Sequence, residues 1–255
     1  EVARWLKVVG IEKGSTKALM CDLILQTAIR REEACQWRVD TLPESRKDWN
    51  INGDTVTVKI EYGTKGAKTF DENGNERGPS RHITMPLALA KRLDDYRTNV
   101  RPTNRSNFVR ANSSTPAERR ELAKAKPHQL FLSDSNGLPI QDHTLYDAWT
   151  NVSYLPFEGW SPHGGRHYWA CTTLLSAIKK DAAALGSALN AATNSNWITG
   201  CANDTMMMKI KPQLGHVSGA TTEQYLKWVL NASSQVGLND GYQAALEADM
   251  GPSNG

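Results

Sequence analysis

The last third of this chain holds His163-Gly-Gly-Arg166, then Leu214-Gly-His216, then Thr221-Thr-Glu-Gln-Tyr225. Together these supply the groups needed to attack a phosphodiester without a metal. Arginine offers a rigid fork of donors that matches phosphate oxygens, histidine can hold or share a proton, and a phenol can act as a nucleophile. Each group also has an ordinary structural reading. Tyr225 beside Trp228 and Val229 can be a half-buried aromatic on an amphipathic helix, and His216 a hydrogen-bonded loop histidine. His163 and His167 stand four residues apart, as two metal ligands on a helix would. However, position 164 is glycine, where a metalloprotease helix needs its glutamate. The order of the groups, and the nine-residue interval from His216 to Tyr225, carry more information than any one residue.

Two upstream segments extend the pattern. Thr27-Ala-Ile-Arg30-Arg-Glu-Glu33 places an arginine and a glutamate three residues apart, and Thr64-Lys65-Gly-Ala-Lys68 lies between two strand-like runs. Alone, the Arg-Arg-Glu-Glu run reads as a solvated helix face. In family order, Arg30, Lys65, His163, Arg166, His216 and Tyr225 resemble the tyrosine recombinases (phage-integrase family). The resemblance runs roughly from Lys17 to Val229. It implies a mainly helical α+β catalytic domain with a small antiparallel β-sheet or hairpin. It also implies site-specific DNA strand cleavage and rejoining through a 3′-phosphotyrosine, with neither metal nor ATP and no cofactor.

By that resemblance, Tyr225 is the nucleophile and Arg30 and Arg166 hold the non-bridging phosphate oxygens. Lys65, preferred over Lys68, is the general acid for the departing 5′-oxygen. His163 accepts or shares the tyrosine proton, and His216 bonds a phosphate oxygen. Glu33 orients the arginine-bearing segment rather than reacting, and His167 packs beside the site. Double-stranded DNA is the implied partner, with a monomer in free solution and a homotetramer on DNA. The implied setting is cytoplasmic, in a prokaryote or a phage-encoded system. Telomere resolvases share this chemistry, type IB topoisomerases are a weaker match, and a non-cutting DNA-binding protein on the same scaffold is the alternative outside the class. The sequence departs from the family pattern in the Gly-Gly between His163 and Arg166 and in the long interval before His216.

Bulk composition bounds the partner more than the fold. With 30 basic and 27 acidic residues among 255, the net charge is +3, so any nucleic-acid site must be a local patch. The four cysteines (Cys21, Cys35, Cys171 and Cys201) form no Cys-x-x-Cys pair and suit reduced, buried thiols. No apolar run reaches the roughly 20 residues of a membrane span.

The elements that must position these groups follow from periodicity. Ser15 or Thr16 can cap a helix that carries Leu19, Leu23, Ile24 and Ala28, with Arg30 near its end. Thr55–Tyr62 alternates as a strand with Val56, Val58, Ile60 and Tyr62 on one face, and Arg81–Pro86 returns beside it. Asp71–Pro79 is the polar hairpin end. Leu87–Arg97 and Asp142–Val152 read as helices, as does the segment from Ser161-Pro162 through Ile178.

Residues 99–126, rich in Arg, Asn, Ser and Pro, are expected to form an extended loop with a short helix around 116–126. A second insertion covers about 180–208. The expected organisation is a catalytic domain over 1–232 and a tail over 233–255, in which Tyr242, Leu246 and Met250 can line a helix packing in trans. A separate N-terminal DNA-binding domain is expected to lie outside this chain.

Overall fold

Gly14 separates two helices, α1 (Val2–Lys13) and α2 (Ser15–Thr27), which bury Trp5 and Val9 of the first with Leu19, Met20, Leu23 and Ile24 of the second. In this computed structural model, residues 1–124, 127–185, 200 and 203–215 are described. They divide into two compact units, Glu1–Trp169 with Pro212–Leu214, and Ala170–Lys211 with Gly215 onward.

The expected Ser15 or Thr16 cap is replaced by a cap from far along the chain. Gly14 is the N-cap, and Asp134 accepts from the Thr16 N–H at 3.2 Å and from the Thr16 hydroxyl. A carboxylate at a helix N-terminus satisfies an orphan donor and opposes the helix dipole, wherever in the sequence it originates. Gly14 is required twice over. Its φ is +98°, and a Cβ there would lie 2.6 Å from an Asp134 carboxylate oxygen.

The first unit carries a three-stranded antiparallel sheet ordered β1 (Asn50–Asn52), β2 (Thr55–Ile60), β5 (Arg81–Pro86). Val56 pairs with Met85 and Val58 with Ile83, and alternation turns these side chains into the core. The short edge strand β1 had no signal in the sequence pattern. Between β2 and β5, the strands β3 (Thr69–Phe70) and β4 (Glu76–Arg77) form the expected hairpin end. Its turn closes on Asp71, whose carboxylate accepts from the backbone N–H groups of Asn73 and Asn75. Tyr62 lies beyond the strand rather than on its inner face. Its hydroxyl donates to Asp71 at 3.0 Å, and the Arg38 guanidinium sits 4.3 Å from its ring centroid.

The expected extended loop after residue 99 is largely helical. α4 (Leu87–Asp95) passes through a π-type turn (Tyr96–Val100) into α5 (Arg101–Ala111), followed by α6 (Pro116–Lys124). Pro102 cannot donate to the carbonyl of Thr98, and its ring crowds that carbonyl, which accounts for the irregular turn just before it. The polar composition that reads as loop is spent on tertiary bonds. Buried Asn104 donates to Leu132 O and to Asp134, and Arg101 donates to the carbonyls of Pro127 and Gln129.

α7 (Asp142–Thr150) brings Trp149 against Trp5 and Trp160, with ring centroids 4.5 and 5.5 Å away. The Trp5 indole donates to Trp149 O at 3.1 Å. Trp160 lies two residues before the start of α8 (Pro162–Leu185), so this aromatic cluster packs where the helix begins. In the second unit, Ala170, Leu174, Met206 and Ile210 are buried, and Met206–Ile210 forms a π-type turn leading into α9 (Lys211–Leu214). Cys21 and Cys35 are free and buried, and burial pushes the Cys35 thiol up to about 12. The segment 216–255, which includes the tail with its trans-packing helix, lies outside the described residues, as do 186–199 of the second insertion and Cys201.

The two glycines at the start of α8 are not equivalent. A Cβ on Gly165 would lie 2.6 Å from two carbons of the Trp149 ring, whereas one on Gly164 would meet Trp160 at an ordinary 3.6 Å. Gly165→Ala is expected to lower stability by about 1–3 kcal/mol through overpacking. Gly164→Ala is expected to be neutral or to gain about 0.5–1 kcal/mol from helix propensity. Urea unfolding midpoints of the two variants decide this.

Candidate active site

The site is organised on the turn between α2 and α3 (Arg31–Cys35). α2 is capped by Ala28, whose φ of +54° makes it the single non-glycine residue with positive φ among the described residues. Such a conformation costs on the order of 1 kcal/mol and persists where surrounding contacts demand it. Here Ala28 is fully buried and its N–H closes onto Ile24 O at 2.8 Å. Its carbonyl accepts from Arg166 Nη1.

Arg30 lies near the end of α2, as expected, but just outside the helix. It is the extended N-cap of α3, three residues past the last residue of α2. A left-handed turn, invisible to apolar periodicity, ends the helix early and aims the next segment away from it.

Glu33 holds this turn. It is essentially buried at 1 % exposure, and its Oε2 accepts from the Arg30 backbone N–H at 2.6 Å while Oε1 accepts from Arg30 Nη1 at 3.1 Å. Arg81, on β5, adds a bidentate pair to the same carboxylate at 2.5 and 2.8 Å. Burial pushes the Glu33 carboxyl upward, but the hydrogen bonds and charge of Arg81, followed by those of Arg30, outweigh it and hold the group below the usual carboxylate range.

Arg166 approaches the same turn from α8. It is 5 % exposed, and besides Ala28 O it donates from Nη2 to Leu214 O at 3.0 Å. The glycine at 165 permits this reach. A side chain there would meet Trp149 and, at 3.5 Å, Leu25 of α2, so only a bare backbone lets α8 come this close.

His163, one turn earlier on α8, feels both arginines. Its pKa is lowered by burial first, then by the charges of Arg166 and Arg30. His167 packs edge-on against it with ring centroids 4.2 Å apart, and is lowered by burial, by His163 and by Arg166. Both imidazoles thus favour the neutral form, in which one nitrogen can accept a proton.

Lys65 lies in an exposed loop whose root packs on α3. Gly63, at φ +70°, sits so close that a Cβ would fall 2.7 Å from Glu32 O and 2.9 Å from Glu33 N. Lys68 is committed locally, donating to Thr64 O at 2.9 Å and pairing with Glu76 at 2.8 Å. Lys65 has no hydrogen bond or ion pair among the described residues. The structure thus brings Arg30, Glu33, His163 and Arg166 together and roots the Lys65 loop beside them. His216 and Tyr225 lie outside the described residues.

Sequence reading missed Arg81 and Gln213. Gln213 is 4 % exposed, and its amide donates to Thr27 O and Thr84 O at 2.8 Å each while accepting from the Thr84 N–H at 2.9 Å. Arg81 has the weak signal of an arginine opening a strand, and Gln213 precedes Leu214-Gly-His216 with no signal of its own.

The mainly helical architecture with its small antiparallel sheet is the tyrosine-recombinase catalytic-domain fold. The particular structure that carries this comparison is the XerH site-specific recombinase bound to palindromic difH substrate, in a post-cleavage complex. The match has TM-score 0.51 and 17% identity, and covers 92% of this chain and 50% of that one. XerH bound to difH before cleavage also matches, with TM-score 0.47, 18% identity, and coverage of 88% of this chain and 47% of that one. So does the Tn1549 transposon integrase in complex with circular intermediate DNA, with TM-score 0.43, 14% identity, and coverage of 88% and 57%. The chain spans about half the length of XerH. No protein-family model and no curated protein matches the sequence. No described helix is long and apolar enough to cross a membrane.

Two measurements test the electrostatics. In an NMR titration, His163 is expected to titrate below the usual histidine value of about 6.5, and Arg30→Ala should move its midpoint upward by removing a positive neighbour. Because the unfolded chain takes that proton first, stability tied to His163 falls as pH drops through the unfolded value. Glu33→Gln is expected to cost about 3 kcal/mol in urea unfolding by stripping two guanidiniums of their buried partner. The contribution of Glu33 is present at neutral pH and lost as pH falls through its depressed folded value, so the variant should lack that part of the acid limb.

Proposed function

We propose that this chain cuts and rejoins DNA strands at specific sites through a covalent 3′-phosphotyrosine formed by Tyr225. The observation that supports this best is the convergence of Arg30 and Arg166 on the α2–α3 turn with a neutral-favouring His163 beside them. Two guanidiniums held at one turn suit the two non-bridging oxygens of a phosphodiester and the extra charge of its phosphorane-like transition state. The recombinase fold of the domain is consistent with the same reading.

In this mechanism the Tyr225 oxygen attacks phosphorus, its proton passing to His163 as the bond forms. The P–O bond to the 5′-oxygen breaks, and Lys65 gives that oxygen a proton. The exposed loop suits such a role, since the lysine must reach the leaving oxygen only once DNA is in place. His216 bonds a phosphate oxygen. Energy stored in the phosphotyrosyl ester lets a 5′-hydroxyl reverse the attack, so rejoining requires no nucleotide hydrolysis. Double-stranded DNA is the substrate, and recombination between two duplexes calls for a tetramer assembled on them.

Covalent capture tests this reading. Nicked DNA fragments incubated with the chain, without added metal, should yield detergent-resistant adducts that disappear in Tyr225→Phe. Arg166→Ala and Arg30→Ala should slow adduct formation by about 10²–10³-fold, the range for losing one preorganised charge donor. Lys65→Ala should be slow on ordinary DNA and recover on a substrate with sulfur in place of the 5′-bridging oxygen, because a thiolate leaves without a proton. DNA binding with no adduct from either this chain or a longer form would instead support a non-cutting binder.

A further inference from the structure

We infer that Gln213 is a positioning residue for the two arginines, acting through the backbone carbonyls it holds in place. The inference rests on the strand-cleavage reading for its kinetic consequence, though not for its geometry.

Gln213 joins three elements of the first unit. Its Nε2 donates to Thr27 O at the end of α2 and to Thr84 O on β5, and its Oε1 accepts from the Thr84 N–H and, at 3.4 Å, from the Thr84 hydroxyl. Both amide hydrogens and the amide oxygen are thereby used, so the side chain has one orientation that satisfies it. The backbone on either side then serves the arginines. Gln213 O accepts from Arg81 Nε at 3.4 Å, and Leu214 O accepts from Arg166 Nη2 at 3.0 Å.

The contacts thus close a circuit. Gln213 ties α9 to Thr27, the residue before Ala28, whose carbonyl takes the other arm of Arg166. Arg81 in turn grips Glu33, which holds Arg30 by both side chain and backbone. One buried amide therefore sets the separation between the two carbonyls that orient Arg166, and helps orient the guanidinium that steadies the Arg30 turn. A buried carboxamide can do this where a carboxylate cannot, because two of its partners, Thr27 O and Thr84 O, are carbonyl oxygens that require donors while the Thr84 N–H requires an acceptor.

The test uses the whole chain and two independent readouts. In the first, side-chain NMR of ¹⁵N-arginine protein follows the Arg166 guanidinium protons. They should exchange slowly in the parent and rapidly in Gln213→Ala and Gln213→Glu, with the backbone amide spectrum otherwise retained. Unchanged Arg166 exchange in variants that remain folded would overturn the inference, whether or not the chain cuts DNA. If Gln213→Ala does not fold, Gln213→Glu, which keeps the acceptor for Thr84 N–H, and Gln213→Asn, which keeps the chemistry but shortens the reach, provide the same comparison.

The second readout is a kinetic cycle of single-turnover adduct formation on nicked DNA. Gln213→Glu should slow the reaction by about a hundredfold, as expected for an ångström-scale misplacement of a catalytic group, with DNA affinity unchanged. In an Arg166→Ala background, the same change should cost almost nothing further. Losses that multiply would show that Gln213 does not act through Arg166, and would reject the inference. If neither the parent chain nor a longer form yields an adduct while the exchange readout behaves as stated, the strand-cleavage reading fails and the positioning role stands.

Discussion

Two guanidiniums, those of Arg30 and Arg166, converge on one turn, and the fold must bear the repulsion between their like charges. The structure meets it with Glu33. A carboxylate at 1 % exposure would be costly unpaired, but with the paired donors of Arg81 and the side chain and backbone of Arg30 around it, it becomes the counter-charge that lets Arg30 stand at the α2–α3 turn. Arg166 is handled differently. Its guanidinium donates to the carbonyls of Ala28 and Leu214, dipoles that orient it. The carboxylate on Arg30 and the backbone carbonyls on Arg166 meet at the same turn.

The packing around the turn brings these groups within bonding distance. Ala28 adopts a left-handed conformation that a non-glycine residue tolerates only under compulsion, and its carbonyl is thereby presented to α8. α8 comes within reach because Gly165 has no side chain to collide with Trp149 and Leu25. Trp149 is itself fixed by Trp5 and Trp160. A departure from the family pattern that looks like looseness in the sequence, the Gly-Gly before Arg166, is therefore a close-packing requirement at its second glycine.

The β-hairpin follows the opposite logic. Its root is rigid, with Gly63 pressed against the backbone of Glu32 and Glu33, and its end is closed by Asp71 accepting from Asn73, Asn75 and Tyr62. Between these anchors Lys65 lies on exposed backbone, while Lys68 is tied to Thr64 and Glu76.

The sequence by itself determined the elements whose signals are local. The alternation of Val56, Val58 and Ile60 against Ile83 and Met85 defined the sheet, and apolar spacing placed α2, α4, α7 and α8. The motif order singled out Arg30, Glu33, Lys65, His163 and Arg166, and the described fold gathers four of these and roots the loop of the fifth. Only the tertiary structure decided the rest, because the groups involved satisfy one another across long stretches of chain. Residues 101–111 read as loop because their polar side chains carry no periodic apolar stripe, yet they are helical because Asn104 and Arg101 find partners near residues 127–134. The cap of α2 comes from Asp134, the second guanidinium on Glu33 from Arg81, and the clamp on the arginine turn from Gln213. Hydrogen bonds and ion pairs are short in space and indifferent to distance along the chain, so no periodicity records them.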